Sequence, residues 1–252
     1  MKTGKRFLMF WSVALALICA GTTSVRGDES PAFTRANQDF SEGRFKEATE
    51  GYQELVRSGQ FSATLFYDLG NAWFRLGDFG QAILNYERAL ALTPHHPEAE
   101  ANLHLARDQA RALELKKSWI ERYLEAGTPT QYSIVASIAL WVALFAALRL
   151  FFLHRRSAKL IALIMLSVGV CGGAVFALYT LENGSKGRAL AIVTGKNIEA
   201  RLATADNANS VLALPPGSEI KVLSERGDWL YAALPNDLRG WIPSKSAERV
   251  RM

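Results

Sequence analysis

Two cysteines stand in a chain of 252 residues. Cys19 lies in the N-terminal leader and Cys171 inside an apolar run. The aqueous segments therefore have no pair to form a disulfide and no cluster to bind zinc. Histidine is nearly as scarce. Of the four, His95 and His96 sit at a turn, His104 on a polar helical run and His154 between two apolar runs. None has an HExxH partner or a metal-ligand spacing. A phosphate loop, a GxSxG turn and a Cys–His nucleophile pair are all missing. Asp228 and Asp237 fall at turns, where aspartate is favoured for its backbone hydrogen bonds. The sequence reads as non-catalytic and without a cofactor. Acid is also missing from two stretches. One holds Lys2, Lys5, Arg6 and Arg26, the other Arg149, Arg155, Arg156 and Lys159. Of 29 basic residues these eight account for the net charge of +5, since the other 21 face 24 acids. The basicity therefore follows membrane topology and does not mark a nucleic-acid surface.

The mean hydropathy of +0.03 averages two kinds of segment. Residues 1–27 read as a secretory signal, with a basic start and an apolar core from Leu8 to Ala20. An uncleaved anchor is the alternative. Bulky Ile18 before Cys19 argues against lipidation. Farther on, residues 132–153 and 160–181 are each long enough to cross a hydrocarbon core of about 30 Å. Residues 154–159 join them, so the two runs form a tight hairpin. Its basic loop belongs in the cytoplasm by the positive-inside rule, which places both flanking segments outside. Arg149 lies near the loop and can snorkel to the surface. Trp119 and Tyr123 mark the outer interface. Gly169, Cys171, Gly172, Gly173 and Ala174 permit close helix packing, within the hairpin or between copies.

Ahead of the hairpin, residues 63–96 read ATLFYDLGNAWFRLGDFGQAILNYERALALTPHH. Leu69, Gly70 and Trp73 lie on a first helix, and Gly77-Asp78 makes a turn. Ala82, Tyr86 and Ala89 line a second helix, which Pro94 ends. This helix–turn–helix pattern resembles the tetratricopeptide repeat (TPR). A weaker copy occupies residues 29–62. There Asn37, Gly43, Phe45, Ala48 and Tyr52 fall in register with Asn71, Gly77, Phe79, Ala82 and Tyr86, while Ala36 replaces Gly70. Two repeats leave an apolar face open, so residues 97–124 are expected as a capping helix running toward the membrane. In the TPR family the concave face binds peptides. The resemblance assigns that groove to Phe33, Asn37, Phe40, Tyr67, Asn71, Phe74 and Arg75, with the asparagines holding peptide backbone. Phe33 and Tyr67 stand where chaperone-binding members carry a clamp lysine. The competing reading is that these aromatics only pack between helices.

Residues 188–252 alternate in short stretches separated by turns, at Pro215-Pro216-Gly217, Arg226-Gly227-Asp228 and Asn236-Asp237. About five strands in so short a length imply a small all-β barrel. Ile198–Arg201, Gly227-Asp228-Trp229 and Gly240-Trp241-Ile242-Pro243 resemble the bacterial SH3-like domain, whose members bind cell-wall peptides or other proteins. Trp229, Tyr231 and Trp241 are then candidates for a shallow groove, or Trp241 for the core.

The order of signal, TPR helices, transmembrane hairpin and SH3-like domain resembles the BatE-type proteins of aerotolerance operons. That resemblance implies a multi-pass protein of the bacterial inner membrane with both aqueous domains in the periplasm. It also implies a complex with von Willebrand A-domain membrane proteins and a MoxR-type AAA+ ATPase, acting in aerotolerance or envelope stress. The sequence thus describes a multidomain scaffold with two outward arms, or a cell-wall sensor that binds peptidoglycan.

Overall fold

The computed structural model describes residues 30–153 and 157–251. The leader and the basic loop residues His154, Arg155 and Arg156 lie outside the described residues. Four helices come first: α1 (Pro31–Ser41), α2 (Phe45–Arg57), α3 (Ala63–Arg75) and α4 (Phe79–Leu92). They form two antiparallel pairs. The Ser30 and Ser62 hydroxyls accept from the third backbone N–H of α1 and α3, and Asp78 does the same for α4. These caps start each helix where the sequence repeats. At Gly70 a Cβ would lie 2.7 Å from the Tyr86 ring, so only glycine lets α4 approach α3 this closely. In the first pair the arrangement is exchanged. Ala36 sits at the equivalent position and meets Gly51 of α2, where a Cβ would stand 3.1 Å from the Ala36 Cβ. The weaker copy therefore keeps its close contact by moving the glycine to the other helix.

The expected cap from 97 to 124 is divided. Helix α5 (Pro97–Ala110) ends at Arg111, which takes a left-handed conformation. The chain then runs extended to Ser118. There a reciprocal capping box between Ser118 and Glu121 starts the short helix α6 (Trp119–Leu124). The extended strap is held by the sheet that follows the hairpin. Glu219 N–H donates to the Leu113 carbonyl at 2.8 Å, and Leu113 N–H donates to the Ser218 hydroxyl at 3.1 Å. A continuous helix would forfeit both bonds.

Helices α7 (Pro129–Leu153) and α8 (Ala158–Asn183) pack as a hairpin. Both are long and apolar enough to cross a membrane, with mean hydropathy of 2.3 and 2.4 in their most apolar windows. Only 11% and 17% of those windows is buried, which separates them from core helices of the folded body. Among the described residues, Ala139, Ala146, Ser167, Ala174 and Ala177 are the buried ones of the pair. Ala139 and Ala146 are seven apart, as are Ser167 and Ala174, with Ala177 one turn on, a spacing that keeps one face toward the partner helix. The small-residue run divides accordingly. Ala174 lies in the seam, while a Cβ on Gly169, Gly172 or Gly173 would meet nothing within 4 Å.

The C-terminal residues form an antiparallel sheet of seven strands in the order β3-β2-β6-β5-β4-β1-β7. The strands are β1 (Leu190–Val193), β2 (Ile198–Arg201), β3 (Ser210–Leu214), β4 (Glu219–Arg226), β5 (Trp229–Ala233), β6 (Arg239–Pro243) and β7 (Ala247–Arg249). The sequence expectation of a small barrel of about five strands differs from this in two ways. The sheet is open, with β3 and β7 at its ends, and β1 and β7 add to the β4 edge. Register shifts at Ala200/Arg201 and Val222/Ser224 bend it.

Strand β1 explains the extra edge. Ala191 and Val193 join the sheet's own core with Ile220, Leu230 and Ile242. Leu190 and Ile192, on its other face, join Ala82, Ile83, Leu84, Tyr86 and Leu103 of the helices. A strand buried on both faces reads as a continuous apolar run rather than an alternation. The helical layer and the sheet therefore share a core at β1, so the two expected outward arms meet there, and the hairpin projects from them. At its edge Gln81 donates to Glu248 at 2.9 Å, and Arg88 pairs with the same carboxylate at 3.3 Å.

The contact is closest at Gly217, whose φ is +86° and where a Cβ would stand 2.2 Å from Ile83 Cδ1. Gly227 also has a positive φ, +56°, but open space around it. Both alanine substitutions carry the left-handed penalty of about 1–2 kcal/mol. Gly217→Ala adds overpacking of about 1–3 kcal/mol. Denaturant unfolding of the full chain in detergent is expected to rank Gly217→Ala clearly below Gly227→Ala. Equal losses would mean that the sheet does not press on α4.

Candidate functional site

Helix α1 touches α3, and α3 touches α5, so the first helices of the repeats line one face. On this face the side chains recur with the repeat. Tyr52 donates its phenol to Asn37 Oδ1 at 2.6 Å, and Tyr86 donates to Asn71 Oδ1 at 2.9 Å. Burial pushes both phenols far above the ordinary tyrosine range, so they stay protonated and keep donating. Phe40 meets Phe45 edge-on at 5.3 Å, and Phe74 meets Phe79 at 5.4 Å. The Arg75 guanidinium lies 4.3 Å from the Phe45 ring centre, a cation–π contact between the two repeats.

A groove of about 250 Å³ opens here, lined by Phe40, Asn71, Phe74, Arg75, Tyr86, Asn102 and Leu105. Four of the expected residues meet in it: Phe40, Asn71, Phe74 and Arg75. Three stand elsewhere. Phe33 is buried between α1 and α2 against Tyr52, at 5.9 Å between ring centres. Asn37 lies one repeat earlier with its carbonyl taken by Tyr52. Tyr67 packs against His96 with tilted rings, 5.0 Å between centres, and accepts from Asn102 at 3.3 Å. Tyr86, Asn102 and Leu105 complete the lining without having been singled out from the sequence for it. Leu105 could have been found, because it stands one further repeat length beyond Asn71. Asn102 donates to Asn71 Oδ1 at 2.9 Å. With that oxygen accepting twice, Asn71 has only its amide N–H groups left to offer. The groove thus presents amide donors, a guanidinium and apolar rings, a set suited to peptide carbonyls and apolar side chains.

On the sheet, Tyr231 lies directly opposite Trp241 with ring centres 4.9 Å apart, and Trp229 lies opposite Pro243. All three aromatics are half-buried, while their neighbours Leu230 and Ile242 face the core. Trp241 therefore belongs to an aromatic face and not to the core.

Behind the groove lies a charge cluster that the sequence reading missed. Arg107 of α5 is 6% exposed and bonds Glu87 of α4 at 2.5 Å, Glu219 of β4, and the more exposed Glu114 at 3.2 Å. Lys186 reaches Glu87 at 3.1 Å. Leu115 N–H donates to the second oxygen of Glu219 at 3.0 Å. Burial raises the Glu219 carboxyl, and the Glu87 charge adds to the rise, with Arg107 and Lys186 offsetting only part of it. For Lys186 burial pulls downward, but Glu87 and Glu219 together hold it above the ordinary lysine value. Two cations and two buried carboxylates thereby join α4, α5, the segment after α8, and β4.

Residues 63–96 match the family described as Tetratricopeptide repeat. The chain therefore contains a tetratricopeptide repeat, a type of unit that typically serves as a non-catalytic scaffold for protein partners. Among curated proteins, the "TPR repeat-containing thioredoxin TTL4" of Arabidopsis thaliana is 31% identical over 68 residues, 27% of this chain. The matched stretch spans 10% of that protein's length.

Removing Arg107 leaves Glu87 and Glu219 buried beside Lys186 alone. Losing one partner of a buried ion pair costs about 3–5 kcal/mol, and Arg107→Ala is expected to lose that much at neutral pH. A carboxyl raised in the folded state favours folding below its unfolded pKa and ceases to as pH climbs through the folded value. The Arg107→Ala deficit should accordingly shrink as pH falls toward the ordinary glutamate value of about 4.3. Unfolding followed across that pH range by tryptophan fluorescence tests this. A deficit independent of pH would remove Glu219 from the account.

Proposed function

We propose that the protein is a non-catalytic, membrane-anchored scaffold of the bacterial envelope, whose TPR groove holds an extended segment of a partner protein. The observation that carries this is the open groove of Phe40, Asn71, Phe74, Arg75 and Asn102, which joins amide donors to apolar rings. The hairpin of α7 and α8 anchors it as a multi-pass protein of the inner membrane. The long apolar surfaces, exposed along both helices, support that anchoring. The basic loop faces the cytoplasm and the TPR–sheet body faces the periplasm. The C-terminal sheet is of the bacterial SH3-like type, supported by its glycine–tryptophan motif on β6. In this reading the protein belongs to a BatE-type complex for aerotolerance or envelope stress, with von Willebrand A-domain membrane proteins and a MoxR-type AAA+ ATPase.

Two substitutions test the groove. Arg75→Glu with Leu105→Glu reverses the charge and removes an apolar contact of the groove at two exposed positions. A membrane pull-down with the full chain is expected to recover an A-domain protein with the wild type only. Equal recovery with the variant sinks the groove as the contact. Topology is checked separately by a phosphatase fused after Met252, which should be active. An inactive fusion would place that end in the cytoplasm.

A second reading has its own observation, the aromatic face of Trp229, Tyr231 and Trp241. Here the protein is a cell-wall sensor, and stacking on these rings holds peptidoglycan. Because β1 shares its core with the helices, the assay uses the full chain in detergent. Sedimentation with peptidoglycan that is lost in Trp241→Ala would favour the sensor. No sedimentation would leave the scaffold.

A further inference from the structure

A second pocket, of about 300 Å³, opens between the strap, the sheet and the end of α8. Three cations line it: Lys116 of the strap, Lys221 of β4 and Arg239 of β6. The acids on its wall are Glu121 and Asp237. Both Glu121 oxygens are already engaged. Oε1 accepts from Ser185 N–H at 3.2 Å, and Oε2 accepts from the Ser185 hydroxyl at 3.0 Å and from Ser118 N–H at 3.2 Å. Asp237 is exposed at the β5–β6 turn. Lys221 donates to the Asn183 carbonyl, at the last residue of α8. Among the described residues, neither Lys116 nor Arg239 has an ion pair or a side-chain hydrogen bond.

The position of this pocket says what it meets. Asn183 and Ser185 directly follow the apolar run of α8, and Tyr132 of α7 donates to the Leu124 carbonyl at 3.0 Å. The pocket floor is thus fixed to the ends of both apolar helices. Beside it, Trp119 and Tyr123 of α6 are 73% and 78% exposed, one turn apart on the same side of their helix. Tryptophan and tyrosine prefer the headgroup layer of a bilayer. A cationic pocket at that depth faces lipid phosphate.

We propose that Lys116, Lys221 and Arg239 form a binding site for the phosphate group of an anionic phospholipid in the leaflet next to the TPR–sheet body. The assignment rests on the hairpin spanning the bilayer. An arginine fork and an ammonium together complement a phosphodiester in charge and in hydrogen-bond geometry. The lipid chains then run alongside α8, and the headgroup holds the sheet against the membrane surface.

The test uses the full chain in bilayers of phosphatidylcholine mixed equimolar with phosphatidylglycerol. After extraction in mild detergent, native mass spectrometry counts the retained phosphatidylglycerol. Three proteins are compared: wild type, Lys116→Gln/Arg239→Gln, and the charge-matched Arg35→Gln/Lys46→Gln on the first helix pair. Each basic residue near an anionic surface is worth about fivefold in affinity, so the pocket variant should bind roughly 25-fold more weakly. Wild type and the distant variant are expected to keep a single lipid that the pocket variant loses. Lys116→Arg/Arg239→Lys should restore it, which excludes misfolding as the cause. Equal loss in the pocket and distant variants would overturn the site in favour of diffuse attraction. Binding of inorganic phosphate with no retained phosphatidylglycerol would make the ligand a soluble anion and overturn the lipid assignment. Failure of the spanning reading is read separately, as release of the wild-type protein from vesicles by alkaline carbonate.

Discussion

Helix α4 is buried around nearly its whole circumference, its apolar residues and its Asn85 and Glu87 alike, and a helix of that kind must be covered on every side. Tyr86 and Ala82 turn toward α3, Ala89 packs with Phe66 and Ala99, and Ile83 faces the sheet. A TPR pair alone supplies only the first of these covers. Helix α5 supplies the second and β1 the third. Much else follows from this requirement. The strap must turn back at Arg111 to reach the sheet. Gly217 must lack a side chain, and β1 must be apolar on both faces. The hairpin becomes an excursion from a body that closes again behind it.

The same coverage makes the groove rigid from behind. Glu87 follows Tyr86 on α4, and Arg107 lies two residues past Leu105 on α5. Their pairing with Glu219 therefore ties both helices under the groove to the sheet. A buried ion pair of this kind adds little to stability compared with apolar residues of equal volume, but breaking it is costly. Its effect here is to fix which surfaces meet. The repeat-related Tyr52–Asn37 and Tyr86–Asn71 pairs add a second constraint, since each bonds the two helices of its pair, the latter within the groove.

Much of this was legible in the residues. The helix pairs follow from the repeat of Asn37, Gly43 and Phe45 at Asn71, Gly77 and Phe79. The apolar helices follow from their uncharged length, and β2 through β6 from alternation and turn residues. What escaped reading was set by tertiary contact. Leu190 to Val193 looks like a simple apolar run because its two faces serve two cores. Arg107 and Glu219 look like ordinary surface charges, since partners 112 residues apart leave no local signal. Phe33 and Tyr67 share the spacing of the groove residues, yet packing turns one inward and places the other beside His96. The first clue to the sheet contact lies in α4 itself, where Ala82, Ile83 and Leu84 run on without the polar gap of an ordinary surface helix.

The placement of the hairpin within the body has a consequence for synthesis. Helices α4 and α5 leave the ribosome well before β4. At about 5–20 residues per second, Arg107 waits roughly 5 to 20 seconds for Glu219 to be made. During that interval Ile83 and Leu103 have no sheet to cover them, and both apolar helices must emerge before it is made. The body is thus completed only after the hairpin has been made, so a chain that stalls in the hairpin presents an unfinished apolar surface.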